Sequence, residues 1–207
     1  MSKSATLSRF DRRASTYQDS ALQHFLFGPV QQTALQLALQ HMPHAERVLD
    51  VGCGTGQLLR RVRPCYPTAR LVGVDLAGQM VGTAVTVTPA RLAVRYVRAR
   101  AERLPFADEV FDLVLTTLSL RHWTNPSAGI GEIGRVLTLG GVLILADVFP
   151  SWHHRAPAVP MLRRRHAAIP ADLGAALAAH RLAVIGGDYT RWFRLPDVQV
   201  IAAQQPS

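Results

Sequence analysis

The feature that most constrains this chain is a short apolar run, Arg47 to Val51, that breaks into Gly52-Cys53-Gly54-Thr55-Gly56. A β-forming run that ends in glycines on alternate places and resumes as a helix reads as strand, tight turn and helix start. Glycine lets the backbone turn where other residues clash, and it lets a ligand approach without a Cβ in the way. A second strand, Arg70 to Val74, follows the helix and ends on Asp75. Strands alternating with helices in this way indicate a mostly parallel sheet.

The same alternation continues along the chain. A helix is expected over about 19–42, with Leu35, Leu39 and Met42 at helical spacing and Pro43 closing it. The helix after the glycine turn should run from Gly56 to Val62 and stop before Pro64. Residues 77–90 are ambiguous: Met80 suits a helix, whereas Val85, Thr86, Val87 and Thr88 are β-branched. Strands are expected near 93–98 and 110–116. Asn125-Pro126 starts a helix, with Asn as N-cap and Pro in the first turn. Gly140-Gly141 should end it, and Val142 to Val148 is an apolar strand. Helices are expected at 157–168 and 171–179, and strands at 181–188 and 195–203. The last two strands lack a helix-length spacer and so should be antiparallel neighbours. The fold class is α/β: a Rossmann-like seven-stranded sheet, mostly parallel with a C-terminal antiparallel hairpin, and helices on both faces. No linker or repeat divides the 207 residues, so one domain is expected.

The formal net charge of +9 raises nucleic acid or an anionic membrane as a partner. Against that, Lys3 is the only lysine, and the arginines are dispersed, as in Arg12-Arg13, Arg60-Arg61 and Arg163-Arg164-Arg165. Surplus charge without a patch suits solvated faces. Cys53 and Cys65 make no disulfide framework and suit a reducing cytoplasm. The N-terminus shows no apolar signal region, and no apolar run reaches the roughly 20 residues of a membrane span.

In open α/β sheets a ligand binds at the carboxyl ends of the strands. There, the glycine turn is followed by Asp75, 25 residues after Asp50. A strand-end carboxylate at that distance suits ribose hydroxyls. Dinucleotide loops read G-x-G-x-x-G and hold a pyrophosphate. This loop reads G-x-G-x-G and is led by an acid, Asp50, which would repel a pyrophosphate. It suits a ligand bearing a sulfonium and an ammonium group. Loop and acid therefore favour S-adenosylmethionine over NAD.

Taken in order, these motifs resemble the class I S-adenosylmethionine-dependent methyltransferases, within the group that includes quinone-biosynthesis and malonyl-carrier-protein methyltransferases. Val48–Gly56 resembles the family's first motif, and Gly73–Met80 its second strand and following helix. Ala101–Phe106, Phe111–Val114, Leu120–Trp123 and Glu132–Leu137 with Gly140-Gly141 complete the likeness, which runs from about residue 9 to 148. The resemblance implies roles. Gly52, Cys53, Gly54 and Gly56 lie along the methionine part of the cofactor, with Asp50 near its amino group. Asp75 takes the ribose hydroxyls. Leu76 and Met80 pack on the adenine, and Ala101 and Glu102 lie at its edge. Thr116 and Thr117 face the methionine end, and Tyr17 belongs to an N-terminal lid within 1–43. Two positions depart from the family: Arg100 stands where many relatives have an adenine-binding Asp, and Leu139 where they have Pro.

Displacement at an activated sulfonium needs alignment and exclusion of water more than a catalytic dyad. A base is needed where the acceptor arrives protonated. His122, just past the fourth strand, is the leading candidate, with Tyr17 second. His153, His154 and His166 lie in the 149–180 segment, expected as a cap over the acceptor, and no metal-ligand spacing occurs among them. Phe149, Trp152, Met161, Leu162 and Arg163–Arg165 give that segment apolar surface with a cationic rim. It suits a small apolar or carboxylate-bearing acceptor. Two alternatives stay open. An RNA methyltransferase is favoured by charge alone, and no RNA-binding module supports it. A cofactor-binding protein without catalysis is the other. Monomer and homodimer are both compatible with the sequence.

Overall fold

The computed structural model describes residues 21–149, 170–190 and 198–206. In chain order the elements are α1 (Ala21–His41), β1 (Arg47–Val51), α2 (Gln57–Cys65), β2 (Arg70–Asp75), α3 (Gly78–Val87), β3 (Val94–Arg98) and β4 (Phe111–Thr117). Then follow α4 (Pro126–Val136), β5 (Leu137–Asp147), α5 (Ala171–Ala179), β6 (Ala183–Thr190) and β7 (Val198–Gln204). Single 3-10 turns occur at Ala90–Leu92 and Leu120–His122.

All seven strands form one sheet in the order β3-β2-β1-β4-β5-β7-β6. The pairs from β3 to β5 are parallel, and β7 runs antiparallel to both β5 and β6. The expected architecture is therefore present, with β7 inserted between its two neighbours. The strand order reverses between β1 and β4, which opens a crevice at the carboxyl ends of β1, β2 and β4.

A core lies on each face of the sheet. One joins Val30, Ala34, Leu37 and Ala38 of α1 and Leu58, Leu59 and Val62 of α2 to Val48, Leu71, Leu113, Leu115 and Ile144. The other joins Ile130, Ile133 and Val136 of α4 and Leu173 and Leu177 of α5 to Leu49, Val51, Val114, Leu143 and Leu145. Adjacent strand residues alternate between the two clusters, as the two-residue period of a strand requires.

Several elements differ from expectation in instructive ways. The buried stripe of α1 is Val30, Ala34, Leu37 and Ala38, while Leu39 is exposed; Leu35 and Met42 only pack at the core's edge. Residues 78–87 are helical because Met80 and Ala84 are buried, while Val85 points to solvent. α2 runs on through Pro64 to Cys65. Helix α4 ends at Val136, not at Gly140-Gly141. Leu137 is already extended and pairs with Phe111, and the register then shifts so that Leu113 faces Val142. Gly140, at φ 74°, lets the chain take that irregular step inside β5. β6 begins two residues later than expected; the expected first residues of β7, 195–197, lie outside the described residues. The helix expected at 157–168 lies outside the described residues.

The glycines of α4 have a packing reason. A Cβ at Gly129 would enter the Trp123 ring, and one at Gly131 would stand 2.7 Å from the His180 ring.

Candidate functional site

The crevice holds a cavity of about 180 Å³ lined by the glycine turn, the ends of β2 and β4, the 99–102 loop, the 117–124 segment and one face of α1. Its floor is shaped by backbone. Gly52, Gly54 and Gly56 all have positive φ, at 79°, 52° and 75°. The amides of Gly52 and Cys53 both donate to the carbonyl of Val74, at 2.8 and 3.0 Å, which clamps the turn across to β2. At Gly56 and Gly52 a side chain would collide with Tyr96 and Ser119 respectively, whereas a Cβ on Gly54 would meet nothing within 4 Å. Two glycines thus serve packing, and the middle one leaves open space.

Two carboxylates set the electrostatics. Asp75 accepts from the Gly54 amide at 2.9 Å and from the Ala77 amide at 2.8 Å, so it ties the glycine turn to the start of α3. Asp50, in β1, is 1% exposed and lines the same cavity. Its Oδ1 is buried without a hydrogen-bond partner. Burial, reinforced by the nearby Asp75 charge, pushes its carboxyl up to about 8. A buried carboxyl so perturbed, in the wall of a cleft, marks a candidate functional site.

At the exit of β4, Leu118 adopts φ 55° and its amide bonds the Ala146 carbonyl at 2.7 Å. A branched residue in the left-handed region is strained. The turn it makes brings Ser119 beneath the glycine loop. The Ser119 hydroxyl donates to the Val51 carbonyl at 3.1 Å and accepts from the Trp123 indole at 3.2 Å. It also shares a 2.9 Å hydrogen bond with Thr116. Beyond it, Arg121 lies against Asp147 at 2.8 Å; the carboxylate is buried and the arginine side chain partly exposed. His122 stands at the rim, and desolvation, with Arg121 beside it, lowers its pKa.

The structure brings most of the expected site residues to one cavity. Asp50, Gly52, Cys53, Gly54, Asp75, Leu76, Met80, Ala101, Glu102, Thr117 and His122 all line it. Gly56 and Thr116 stand outside the lining, Gly56 against Tyr96 and Thr116 behind Ser119. Glu102, in the lining, also has a structural partner set. Its Oε1 accepts from the amides of Thr124 and Asn125, the second at 3.0 Å, so it fastens the 99–106 loop to the start of α4. Those amides hold its carboxyl below the usual range against the opposing effect of partial burial. Tyr17 lies outside the described residues, as do His153, His154, His166 and the arginines of 163–165. Sequence reasoning missed Phe27 and Gln31 of α1, Ser119, Arg121 and Trp123, all in the lining. Their residue types are ordinary, and only the third dimension gathers them.

Residues 49–145 match the family model described as a methyltransferase domain. The chain is 37% identical to a demethylmenaquinone methyltransferase of Thermus thermophilus over 118 residues, 56% of this chain and 53% of that one. It is 34% identical to a malonyl-[acyl-carrier protein] O-methyltransferase of Laribacter hongkongensis over 156 residues, 72% of this chain and 52% of the relative. The chain thus spans about half the length of the curated relatives it matches. In fold it is similar to the N-methyltransferase NodS of Bradyrhizobium japonicum, solved with S-adenosyl-L-homocysteine. That likeness has a TM-score of 0.76 at 16% identity, covering 98% of this chain and 99% of that one.

Proposed function

We propose that this chain, whose residues 49–145 match a methyltransferase-domain model, is an S-adenosylmethionine-dependent methyltransferase that moves a methyl group to a small apolar or carboxylate-bearing acceptor. The observation that carries the donor is the buried, unpartnered Oδ1 of Asp50 in the cavity wall. A ligand bearing ammonium and sulfonium groups meets that acceptor; a pyrophosphate does not. The open face of Gly54 leaves room beside it, and Leu76 and the buried Met80 supply an apolar wall. The residues present therefore fit the cofactor.

When bound, S-adenosylmethionine supplies a methyl group already activated by its sulfonium. The chain's own part is to orient and to exclude water. Asp50 and the Gly52–Gly54 backbone hold the amino-acid end. Asp75 is offered to the ribose, exchanging the bonds it now makes to loop amides. His122, kept neutral at physiological pH by its lowered pKa, is placed at the rim to accept a proton from a hydroxyl or phenolic acceptor.

The acceptor side is supported by Trp123, Arg121 and His122 in the cavity lining, an apolar surface beside one cation and one neutral imidazole. The relatives' names point the same way, one to a quinone and the other to a malonyl group. The two free cysteines accord with a reducing cytoplasm. Among the described residues no helix is long and apolar enough to cross a membrane.

Methyl-labelled cofactor incubated with a panel of carboxylic acids, phenols and quinols tests the reading. Label should pass to at least one class, and His122→Ala should cut the rate about 100-fold for a protonated acceptor. Label in bulk RNA alone would overturn the acceptor class. Tight cofactor binding with no transfer to any acceptor would overturn catalysis.

A further inference from the structure

The described residues contain three buried side-chain oxygens or nitrogens without a hydrogen-bond partner: Gln31 Oε1, Asp50 Oδ1 and Gln205 Oε1. The first two line the same cavity. Gln31 belongs to α1 and is 3% exposed. One turn before it on the same helix face, Phe27 also lines the cavity. The amide of Gln31 is held by Gln57, the first residue of α2, through a 3.3 Å bond from Nε2 to Gln57 Oε1. Its carbonyl oxygen is left over.

An amide in this place is costly. Its neighbours along the stripe, Val30, Ala34 and Ala38, are fully buried and apolar. A methionine or leucine would fill the same volume without a buried acceptor left unsatisfied, which is destabilising. Gln57 fixes one end of the amide and so fixes the rotamer of the other. The two orphaned groups in the cavity, Gln31 Oε1 and Asp50 Oδ1, are both acceptors. A ligand with several donors and a positive charge would satisfy both, its charge favouring the ionised form of Asp50. An alkylammonium, with three N–H donors and a full charge, does this.

We propose that Gln31 is the α1 residue that recognises the α-ammonium of the cofactor's amino-acid end, with Asp50 opposite and Gln57 as the brace that aims it. The proposal rests on the S-adenosylmethionine reading and adds to it a residue from outside residues 49–145. It also gives α1 a task. The helix lies against β4, β5, β6 and β7, and a ligand gripping Gln31 pins it to the glycine turn. Cofactor binding then tightens the docking of α1.

The test compares two ligands on the apo protein by calorimetry. S-adenosylhomocysteine carries the amino-acid end, and 5′-methylthioadenosine has the same nucleoside thioether without it. Gln31→Met should weaken S-adenosylhomocysteine about 10- to 100-fold, the range for a hydrogen bond to a charged group, and leave 5′-methylthioadenosine unchanged within twofold. Gln31→Glu keeps an acceptor oxygen and should bind S-adenosylhomocysteine at least as well as wild type. Apo Gln31→Met should melt no lower than wild type, because the substitution removes an unsatisfied group. Amide hydrogen exchange over 27–41 should slow on S-adenosylhomocysteine binding in wild type and not in Gln31→Met.

Equal loss of both ligands in Gln31→Met would overturn the proposal, and so would no loss of either. A fall in apo melting temperature matching the loss of affinity would assign Gln31 to packing instead. Failure of wild type to bind either ligand would overturn the cofactor reading itself, an outcome distinct from the others.

Discussion

A carboxylate withdrawn from water has to be paired or give up its charge, and Asp50 does the second. Its acid group sits at about 8 in the folded chain against 3.8 for an unperturbed one. Asp75 is the charged neighbour that adds to burial, and Cys53 and Tyr96 titrate close enough to feel it. Between those two pKa values the unfolded chain has lost the proton and the folded chain retains it. Stability therefore falls as pH rises through this window, by about 1.4 kcal/mol per unit from this group. Urea midpoints of the apo protein should decline from pH 5 to pH 7.5, and Asp50→Asn should remove most of the decline and raise the midpoint at pH 7.5. An unchanged slope in Asp50→Asn would mean that the burial does not penalise this group. Asp50 was legible in the sequence because it leads a glycine loop at the end of an apolar strand. Gln31 was not, because one glutamine in a helix of mixed composition carries no pattern. Glu102 was legible as a residue of the cavity lining, but nothing in the linear order shows that its carboxylate reaches the amides of Thr124 and Asn125.

Elements here are joined by arginines acting as staples. Arg63, in the last turn of α2, donates Nε to the Leu92 carbonyl at 2.9 Å and Nη1 to Pro67 and Ala69, both at 2.9 Å. Longer bonds reach Tyr66 and Ala93 at 3.3 and 3.4 Å. One planar cation thus closes the end of α2, the turn into β2 and the approach to β3. Lysine, a point charge, cannot span these sites. Arg63→Ala should cost about 2–3 kcal/mol, the scale of charge-assisted hydrogen bonds, with Arg63→Lys between it and wild type. S-adenosylhomocysteine affinity should stay within twofold, because Arg63 lies outside the cavity lining. A parallel loss of affinity would show that the staple governs the glycine turn, and an unchanged urea midpoint would show that it holds nothing. Arg135 performs the same service for the 104–108 loop, bonding the carbonyls of Leu104 and Phe106 and the carboxylates of Asp108 and Glu132. Such staples explain why element existence was easier to read than element ends. Periodicity marks where a helix buries a face. Where it stops depends on what its last carbonyls and the next strand can reach, as after Val136, where Leu137 pairs with Phe111 three residues before the first of the two glycines.

At the scale of the molecule, the mostly parallel sheet and its antiparallel end followed from spacer lengths. Parallel neighbours need a helix between them and the final pair has none. What spacers could not show is that the cavity is built from both sides of the sheet. Leu58 and Leu118 belong to the core under α1 and α2, and Ala101 and Val74 to the core under α4 and α5, yet all four line the same space. A ligand there touches both cores and should stabilise them together. At 100 times its dissociation constant, S-adenosylhomocysteine should add about 2.7 kcal/mol. For a chain of this size that raises the melting temperature by about 5–10 °C. The shift should appear in one transition, followed in parallel by the fluorescence of the chain's three tryptophans and by far-ultraviolet circular dichroism. NAD at the same concentration should give no shift, because the acid-led loop refuses its pyrophosphate. Two transitions of which only one moves would mean that the cavity belongs to a single core. A shift with NAD equal to that with S-adenosylhomocysteine would mean that the site reads adenosine alone, and that Asp50 does not discriminate between the charges attached to it.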